Sequence, residues 1–238
     1  MGILEVEDLS AGYYSEEIIS GISFKIEELA KTCIIGPNGS GKSTLFKTLF
    51  GELPVKRGKI LYEKEDVTNL GPQERISRGM SYVIQGRNVF PAMTVQENLE
   101  LGAYLRKDAS KVREDIAEIY GKFPILKQKT KEYAGNLSGG ERQVLTMAMG
   151  LIQKPRLLLI DEPSVGLQPS SLEHVYEEME RINKEEKITL LIIEQNARRG
   201  LAFADYAFVL DLGKIAFRGT AEEVLGNEKV RRLYIGNL

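Results

Sequence analysis

The stretch that decides the fold runs Thr32-Cys33-Ile34-Ile35-Gly36-Pro37-Asn38-Gly39-Ser40-Gly41-Lys42-Ser43-Thr44. Its opening is a short apolar run ending in glycine, which suits a strand buried on both faces, as in a parallel sheet. Beyond it, Lys42 opens a helix in which Leu45, Phe46 and Leu49 recur at helical spacing. Between strand and helix, Gly36 to Ser43 satisfies the phosphate-binding P-loop pattern in full. Glycines let backbone N–H groups turn toward a phosphate with no Cβ in the way, and the helix N-terminus adds partial positive charge. In such a loop Lys42 reaches the β- and γ-phosphates and the Ser43 hydroxyl ligates Mg²⁺. The ATP-binding residues expected here are Gly36, Pro37, Asn38, Gly39, Ser40, Gly41, Lys42, Ser43 and Thr44. A glycine-rich turn without ligand is the competing reading, and the strand before and helix after argue against it.

Leu157-Leu158-Leu159-Ile160-Asp161-Glu162 supplies a second half. A buried strand delivers two carboxylates at its C-terminal end, where open α/β sheets bind ligands. Asp161 is the expected Mg²⁺ ligand, and Glu162 the catalytic group that polarises the attacking water. Leu137-Ser138-Gly139-Gly140-Glu141-Arg142-Gln143 reads as the start of a third element. Ser138 and the glycines open a helix with accessible N–H groups, either a second anion site or a capped helix after a loop.

The chain alternates in character. Ile3 to Leu9 and Ile22 to Ile26 alternate apolar and polar, as strands do. From Thr94 to about Lys131 the pattern is helical. It opens on a capping box, Thr94 with Glu97, and carries Val112, Ile116 and Ile119 at helical spacing. After Leu157 the α/β alternation returns. Leu172, Val175, Tyr176, Met179 and Ile182 form a helix face, and Thr189 to Ile193 a buried strand. Ala207 to Leu210 and Ile215 to Phe217 form a hairpin around Gly213, and Thr220 with Glu223 makes a second capping box. One domain over 1–238 is expected, with a nucleotide-binding core in 1–93 and 153–238 and a helical subdomain in 94–152.

Composition narrows the classes. A length of 238 residues suits one large domain, or a core with a subdomain. A net charge of −2, with Lys and Arg spread along the chain, gives no pull toward nucleic acid or an anionic membrane. The one cysteine, Cys33, excludes an intramolecular disulfide and reads as a small buried strand residue. MGILEVEDLS shows no basic region followed by an apolar stretch, so no secretory signal is expected. Met1-Gly2 opens like a myristoylation site, but Glu5 and Val6 fit that motif poorly. The apolar runs 157–160 and 190–193 are far too short to span a bilayer. Any service to a membrane would come through docking on another chain.

The segment LSGGERQ, Leu137 to Gln143, resembles the signature of ATP-binding cassette (ABC) proteins. The resemblance extends over essentially the whole chain. It implies an α/β fold: a P-loop NTPase core with a mostly parallel sheet, an N-terminal antiparallel β subdomain and an inserted α-helical subdomain. It places Tyr13 as the aromatic that stacks on adenine, with adjacent Tyr14 as the alternative. It places Gln85, after the strand Ser81 to Ile84, in the loop that contacts Mg²⁺ and senses a partner. It implies that Leu137, Ser138, Gly139, Gly140, Glu141, Arg142 and Gln143 act in trans, on the nucleotide of a second cassette, from the same or a sister chain. Transmembrane permease subunits are the other implied partners, docking on the helical subdomain and the Gln85 loop. That puts the chain at the cytoplasmic face of the cell membrane.

Within the family, Gly86-Arg87-Asn88-Val89-Phe90 and Glu194-Gln195-Asn196-Ala197 resemble the ATP-binding subunits of branched-chain amino acid importers. The implied function is ATP hydrolysis coupled to solute import. The alternative is a non-transport cassette acting on DNA or ribosomes, against which stand the single cassette and the lack of sustained heptads or a basic tail. Two positions depart from the common pattern. Gln195 stands where most cassettes have a catalytic histidine; it can donate a hydrogen bond but carries no proton. Gln168 stands where most have aspartate. The only histidine, His174, lies off the apolar face of its helix.

Overall fold

A computed structural model describes residues 2–84, 86, 89–106 and 108–235. The N-terminal strands β1 (Gly2–Ala11) and β2 (Ile19–Glu27) pair antiparallel. Next come β3 (Lys31–Ile35) and helix α1 (Lys42–Phe50). Strands β4 (Val55–Tyr62) and β5 (Glu65–Asp66) then complete an antiparallel sheet in the order β2-β1-β4-β5. Helix α2 (Pro72–Ser77) leads to β6 (Met80–Val83).

The middle is helical, as its pattern predicts, but divided. It holds α3 (Val95–Gly102), α4 (Ala109–Lys122), α5 (Pro124–Gln128) and α6 (Gly139–Leu151). The Thr94 capping box is present, with Thr94 Oγ1 accepting from Glu97 N at 3.2 Å. The remainder alternates: β7 (Leu157–Asp161), α7 (Pro169–Lys184), β8 (Thr189–Ile193), α8 (Ala197–Phe203), β9 (Tyr206–Asp211), β10 (Lys214–Thr220) and α9 (Ala221–Gly226). The hairpin turns at Leu212 and Gly213, both at positive φ, and Thr220 Oγ1 caps α9 from Glu223 N.

The second sheet runs β10-β9-β3-β8-β7-β6, parallel throughout except for the edge hairpin β9–β10. Its central strands β3, β7 and β8 are apolar on both faces because both faces are covered. Leu157, Leu159, Leu191, Ile193 and Ile34 point to one core, shared with α1 and the antiparallel sheet. Leu158, Ile160, Leu190, Ile192 and Cys33 point to the other, shared with α6 and α7. Cys33 is accordingly buried within its strand.

Sequence patterning missed β4 and the role of α2. The β4 sequence VKRGKILY carries three basic residues and a glycine, and only Ile60 and Tyr62 are buried. In α2, Arg75 is 1 % exposed. Its guanidinium donates to five carbonyls, those of Thr48, Leu49, Val67, Thr68 and Leu70. Two of these belong to the last turn of α1, where carbonyls run short of intrahelical donors; Thr48 O also accepts from Gly51 N at 3.1 Å. Burial draws the Arg75 pKa down to about 10, which still leaves it cationic at neutral pH. Arg75→Met would take this donor from all five carbonyls, of which Thr48 O and Val67 O keep a backbone donor, so it is expected to lower the unfolding free energy by roughly 2–4 kcal/mol. Urea unfolding checks this, and a loss too small to resolve would contradict the assignment of Arg75 as the clamp on α1.

Candidate active site

The parallel register brings three strand ends together. Ile34 of β3 pairs with Ile193 of β8, and Asp161 of β7 pairs with Ile193. The residues that follow, Gly36, Glu162 and Glu194, therefore emerge at one edge, where open parallel sheets present ligand sites.

The P-loop packs tightly against its support. A side chain on Gly36 would run into the Leu210 carbonyl oxygen. Gly213 N donates to Ser40 O at 3.0 Å, so the β9–β10 turn buttresses the loop. Pro37, Asn38, Gly39 and Ser43 are exposed on the open side, whereas Ser40, Gly41, Lys42 and Thr44 are buried. Lys42 Nζ folds back on its own loop, donating to Gly36 O at 2.8 Å and Pro37 O at 3.0 Å. Burial pushes the Lys42 pKa down, against the opposing pull of Glu162 and Asp161, so the cation and both carboxylates share one field.

Asp161 is buried, and burial raises its carboxyl above the usual range. One oxygen accepts from Tyr82 OH at 3.2 Å, while Oδ1 is buried without a hydrogen-bond partner. An orphaned, buried carboxylate oxygen at this sheet edge is the hard oxygen chemistry that Mg²⁺ takes, and Ser43 at the start of α1 offers a hydroxyl of the same kind. The residues present fit that ion.

Glu162 is half-buried and sits at φ +48°, in the left-handed region. A non-glycine residue held there is strained and must be fixed by its surroundings. Its N–H donates to Ile193 O at 2.9 Å, and its own carbonyl accepts from Val165 N at 3.3 Å. Gln195 follows β8 and donates from Nε2 to Asn38 Oδ1 at 3.3 Å, which ties its turn to the P-loop. Tyr13 lies beside α1: Lys47 Nζ is 5.9 Å from its ring centroid and 3.4 Å from its hydroxyl. Tyr14 instead projects fully into solvent. Gln85, Arg87 and Asn88 lie outside the described residues.

The segment 137–143 starts α6 with a reciprocal cap. Ser138 Oγ accepts from Glu141 N at 3.3 Å, and Glu141 Oε2 accepts from Ser138 N at 2.8 Å. Arg142 reaches back to Leu137 O at 2.9 Å, and Leu137 is buried. Gly140 packs so closely on α7 that a Cβ would sit 2.8 Å from Ser171 Cβ. A cavity of 450 Å³ separates this helix end from the turn after β7, lined by Gly139, Arg142, Gln143, Glu162, Gly166 and Leu167. The segment thus faces the loop that carries Glu162 and the exposed Gln168. His174 stands on the outer side of α7 beside Glu177 and Glu178, half exposed.

Two site residues escaped the sequence reading. Tyr82 is known only by its bond to Asp161. Glu194 is 0 % exposed, with Oε2 accepting from Ser164 Oγ and Oε1 from Tyr176 OH, each at 2.8 Å. A signal existed: Glu194 ends an aliphatic strand run as Asp161 does.

Comparison with known proteins agrees with this geometry. Residues 19–165 match the ABC transporter family. The chain is 39 % identical over 234 residues to a probable branched-chain amino acid transport ATP-binding protein, LivF, of Archaeoglobus fulgidus, covering 98 % of this chain and 99 % of that one. It is 37 % identical to the high-affinity branched-chain amino acid transport ATP-binding protein BraG of Pseudomonas aeruginosa, over 98 % of this chain and all of that one. A lipopolysaccharide export ATP-binding protein, LptB, of Haemophilus influenzae is 33 % identical over 99 % of this chain and 98 % of its own length. Among solved structures, a nucleotide-free ATP-binding cassette from an ABC transporter superposes with a TM-score of 0.89 at 28 % identity, each chain fully covered. The chain belongs to the ABC transporter family. It is an ATP-binding ATPase subunit, and no helix among its described residues is long and apolar enough to cross a membrane.

The buried Glu194 gives a pH test. Burial raises its carboxyl above the ordinary 4.5, and the bonds from Ser164 and Tyr176 offset this only in part. A carboxyl raised in the fold favours its neutral form there. The stabilisation is complete below the unfolded-state value and is lost as pH rises through the folded one. Glu194→Gln stays neutral throughout, so as pH rises from below the ordinary carboxyl value through the raised one, wild type should lose stability relative to it. Urea unfolding of both proteins across that range checks this; parallel pH curves would contradict it.

Proposed function

We propose that this chain hydrolyses ATP to drive the import of a branched-chain amino acid through separate permease subunits, at the cytoplasmic face of the cell membrane. The observation that carries the ATPase part is the convergence of Lys42, Asp161, Glu162 and Gln195 on one sheet edge. The names of the two relatives with the highest identities above support the solute.

In this reading the P-loop N–H groups and Lys42 hold the phosphates. Lys42 exchanges its bonds to Gly36 O and Pro37 O for charge-assisted bonds to the β- and γ-phosphates. Ser43, Asp161 and Gln85 would hold Mg²⁺, which when bound would supply positive charge to offset the negative charge developing on the phosphates. Glu162 orients the attacking water and draws on its proton. Gln195 leaves Asn38 and donates its amide to the γ-phosphate, with no proton of its own to transfer. Tyr13 stacks on the base.

The signature residues Leu137 to Gln143 act on a second cassette's nucleotide. Supporting this, the bonds of Ser138, Glu141 and Arg142 above stay within 129–142, and the segment faces 166–171 across a cavity. The permease docks where the helical subdomain, 94–152, meets the core. A 380 Å³ groove there is lined by Phe50, Tyr82, Phe90, Tyr104, Leu105 and Met149, with Phe90 and Tyr104 half or more exposed. Exposed aromatics around a groove mark interaction sites.

Glu162→Gln preserves shape and removes the charge that orients water. It should bind ATP as wild type does while losing at least about a hundredfold in turnover. Phosphate release and nucleotide titration on the purified chain measure both. Turnover within a few-fold of wild type would remove Glu162 from this role.

A further inference from the structure

A carboxylate buried without a cation is costly, and an apolar residue of similar size is usually the more stable choice. Among the described residues Glu194 is such a group: the donors bonded to its side chain are two hydroxyls and backbone N–H groups. Those donors come from three different segments. Ser164 belongs to the turn that begins at Glu162. Asn196, whose N–H reaches Glu194 Oε2 at 3.3 Å, belongs to the turn that presents Gln195. Tyr176 belongs to α7, which starts where the Glu162 turn ends. The backbone of Glu194 is itself anchored, its N–H donating to Ile34 O of β3 at 3.1 Å, two residues before the P-loop. One carboxylate therefore ties three parts of the site to the strand that carries the P-loop.

The turn it holds needs holding. Glu162 keeps its left-handed backbone only while neighbouring bonds over-determine it. Val165 N to Glu162 O and Leu167 N to Ser164 O, both 3.3 Å, are internal to the turn. The Ser164–Glu194 bond ties its far side to the sheet.

We infer that Glu194 is a positioning residue for ATP hydrolysis: through Ser164 it fixes the turn that aims Glu162, and through Asn196 the turn that aims Gln195. This rests on the roles proposed above for those two side chains. Glu194 touches neither water nor phosphate in this scheme. Its loss should lower kcat by misaiming Glu162 and leave the P-loop's grip on nucleotide intact, because a small misplacement of a catalytic group is costly to rate.

The test uses the purified full chain, with kcat, KM, nucleotide affinity and melting temperature measured for Ser164→Ala, Glu194→Ala, their double variant, Tyr176→Phe and Glu162→Gln. Ser164→Ala and Glu194→Ala are each expected to lower kcat about tenfold or more, with nucleotide affinity within about threefold of wild type. The double variant should fall little further than the worse single one, since both remove one link. Tyr176→Phe removes an equally short bond to the same carboxylate but leaves both turns attached; it should lower the melting temperature while kcat stays within about twofold. Folded Ser164→Ala and Glu194→Ala with kcat within twofold of wild type would overturn the proposal, as would a Tyr176→Phe whose kcat falls as far as that of Ser164→Ala. If Glu194→Ala does not fold, Ser164→Ala against Tyr176→Phe decides by the same criteria. Glu162→Gln keeps the two claims apart. If it retains turnover, the Glu162 reading fails; if it is inactive beside fully active Ser164→Ala and Glu194→Ala, only the present proposal fails.

Discussion

The parallel pairing of β3 with β8 and of β8 with β7 is the constraint on which everything else depends. A parallel ladder cannot slip by one residue without turning every side chain to the opposite face. Here both faces are packed, Leu157 and Leu159 into one core and Leu158 and Ile160 into the other. The register is therefore set by two cores at once. Its consequence is chemical: Glu162 and Glu194 leave the sheet level with Ile35, one residue before Gly36 opens the P-loop.

The site is assembled from groups that oppose one another. Lys42 is partly desolvated, Asp161 keeps an oxygen without a partner, and Glu162 holds a strained backbone. None of these is a stable arrangement alone, and active sites are where such tension is expected. The stability comes from elsewhere: the two cores, the β9–β10 turn behind the P-loop, and the Arg75 clamp at the far end of α1. On the roles proposed above, this ordered set of donors and acceptors would exchange internal bonds for bonds to nucleotide without building the site anew.

Much of this was legible in the sequence, for local reasons. Strands buried on both faces read as continuous aliphatic runs, so β3, β7 and β8 stood out. Helix starts at Thr94 and Thr220 were legible because a capping box needs only four neighbouring residues, and the one at Ser138 because a serine before two glycines opens a helix. What escaped depends on distant partners. The basic strand β4 pairs through backbone atoms that no side-chain pattern reveals. Arg75 resembles any helical arginine until the end of α1 is placed around it. Glu194 followed the same aliphatic-then-acid pattern as Asp161, but its partners lie on α7 and in the Glu162 turn, far along the chain. The division of the middle into separate helices follows from loops whose positions periodicity does not mark.

The geometry within one chain brings Lys42, Asp161 and Glu162 to one sheet edge, while Ser138 closes its own helix cap and faces the Glu162 turn. On the reading proposed above, a complete nucleotide site needs the Ser138 segment of a second cassette, which a second copy of this chain can supply in a purified mixture. Mixing two inactive variants tests it most directly. Ser138→Arg blocks the signature, and Lys42→Ala removes the phosphate grip. In a mixed dimer acting in trans, one site carries both lesions and the other carries none. In cis, every site carries one. A single-turnover measurement on mixed dimers, shown to form, should find about one ATP consumed per dimer where neither variant alone consumes any. No ATP consumed by the mixed dimer would contradict the claim.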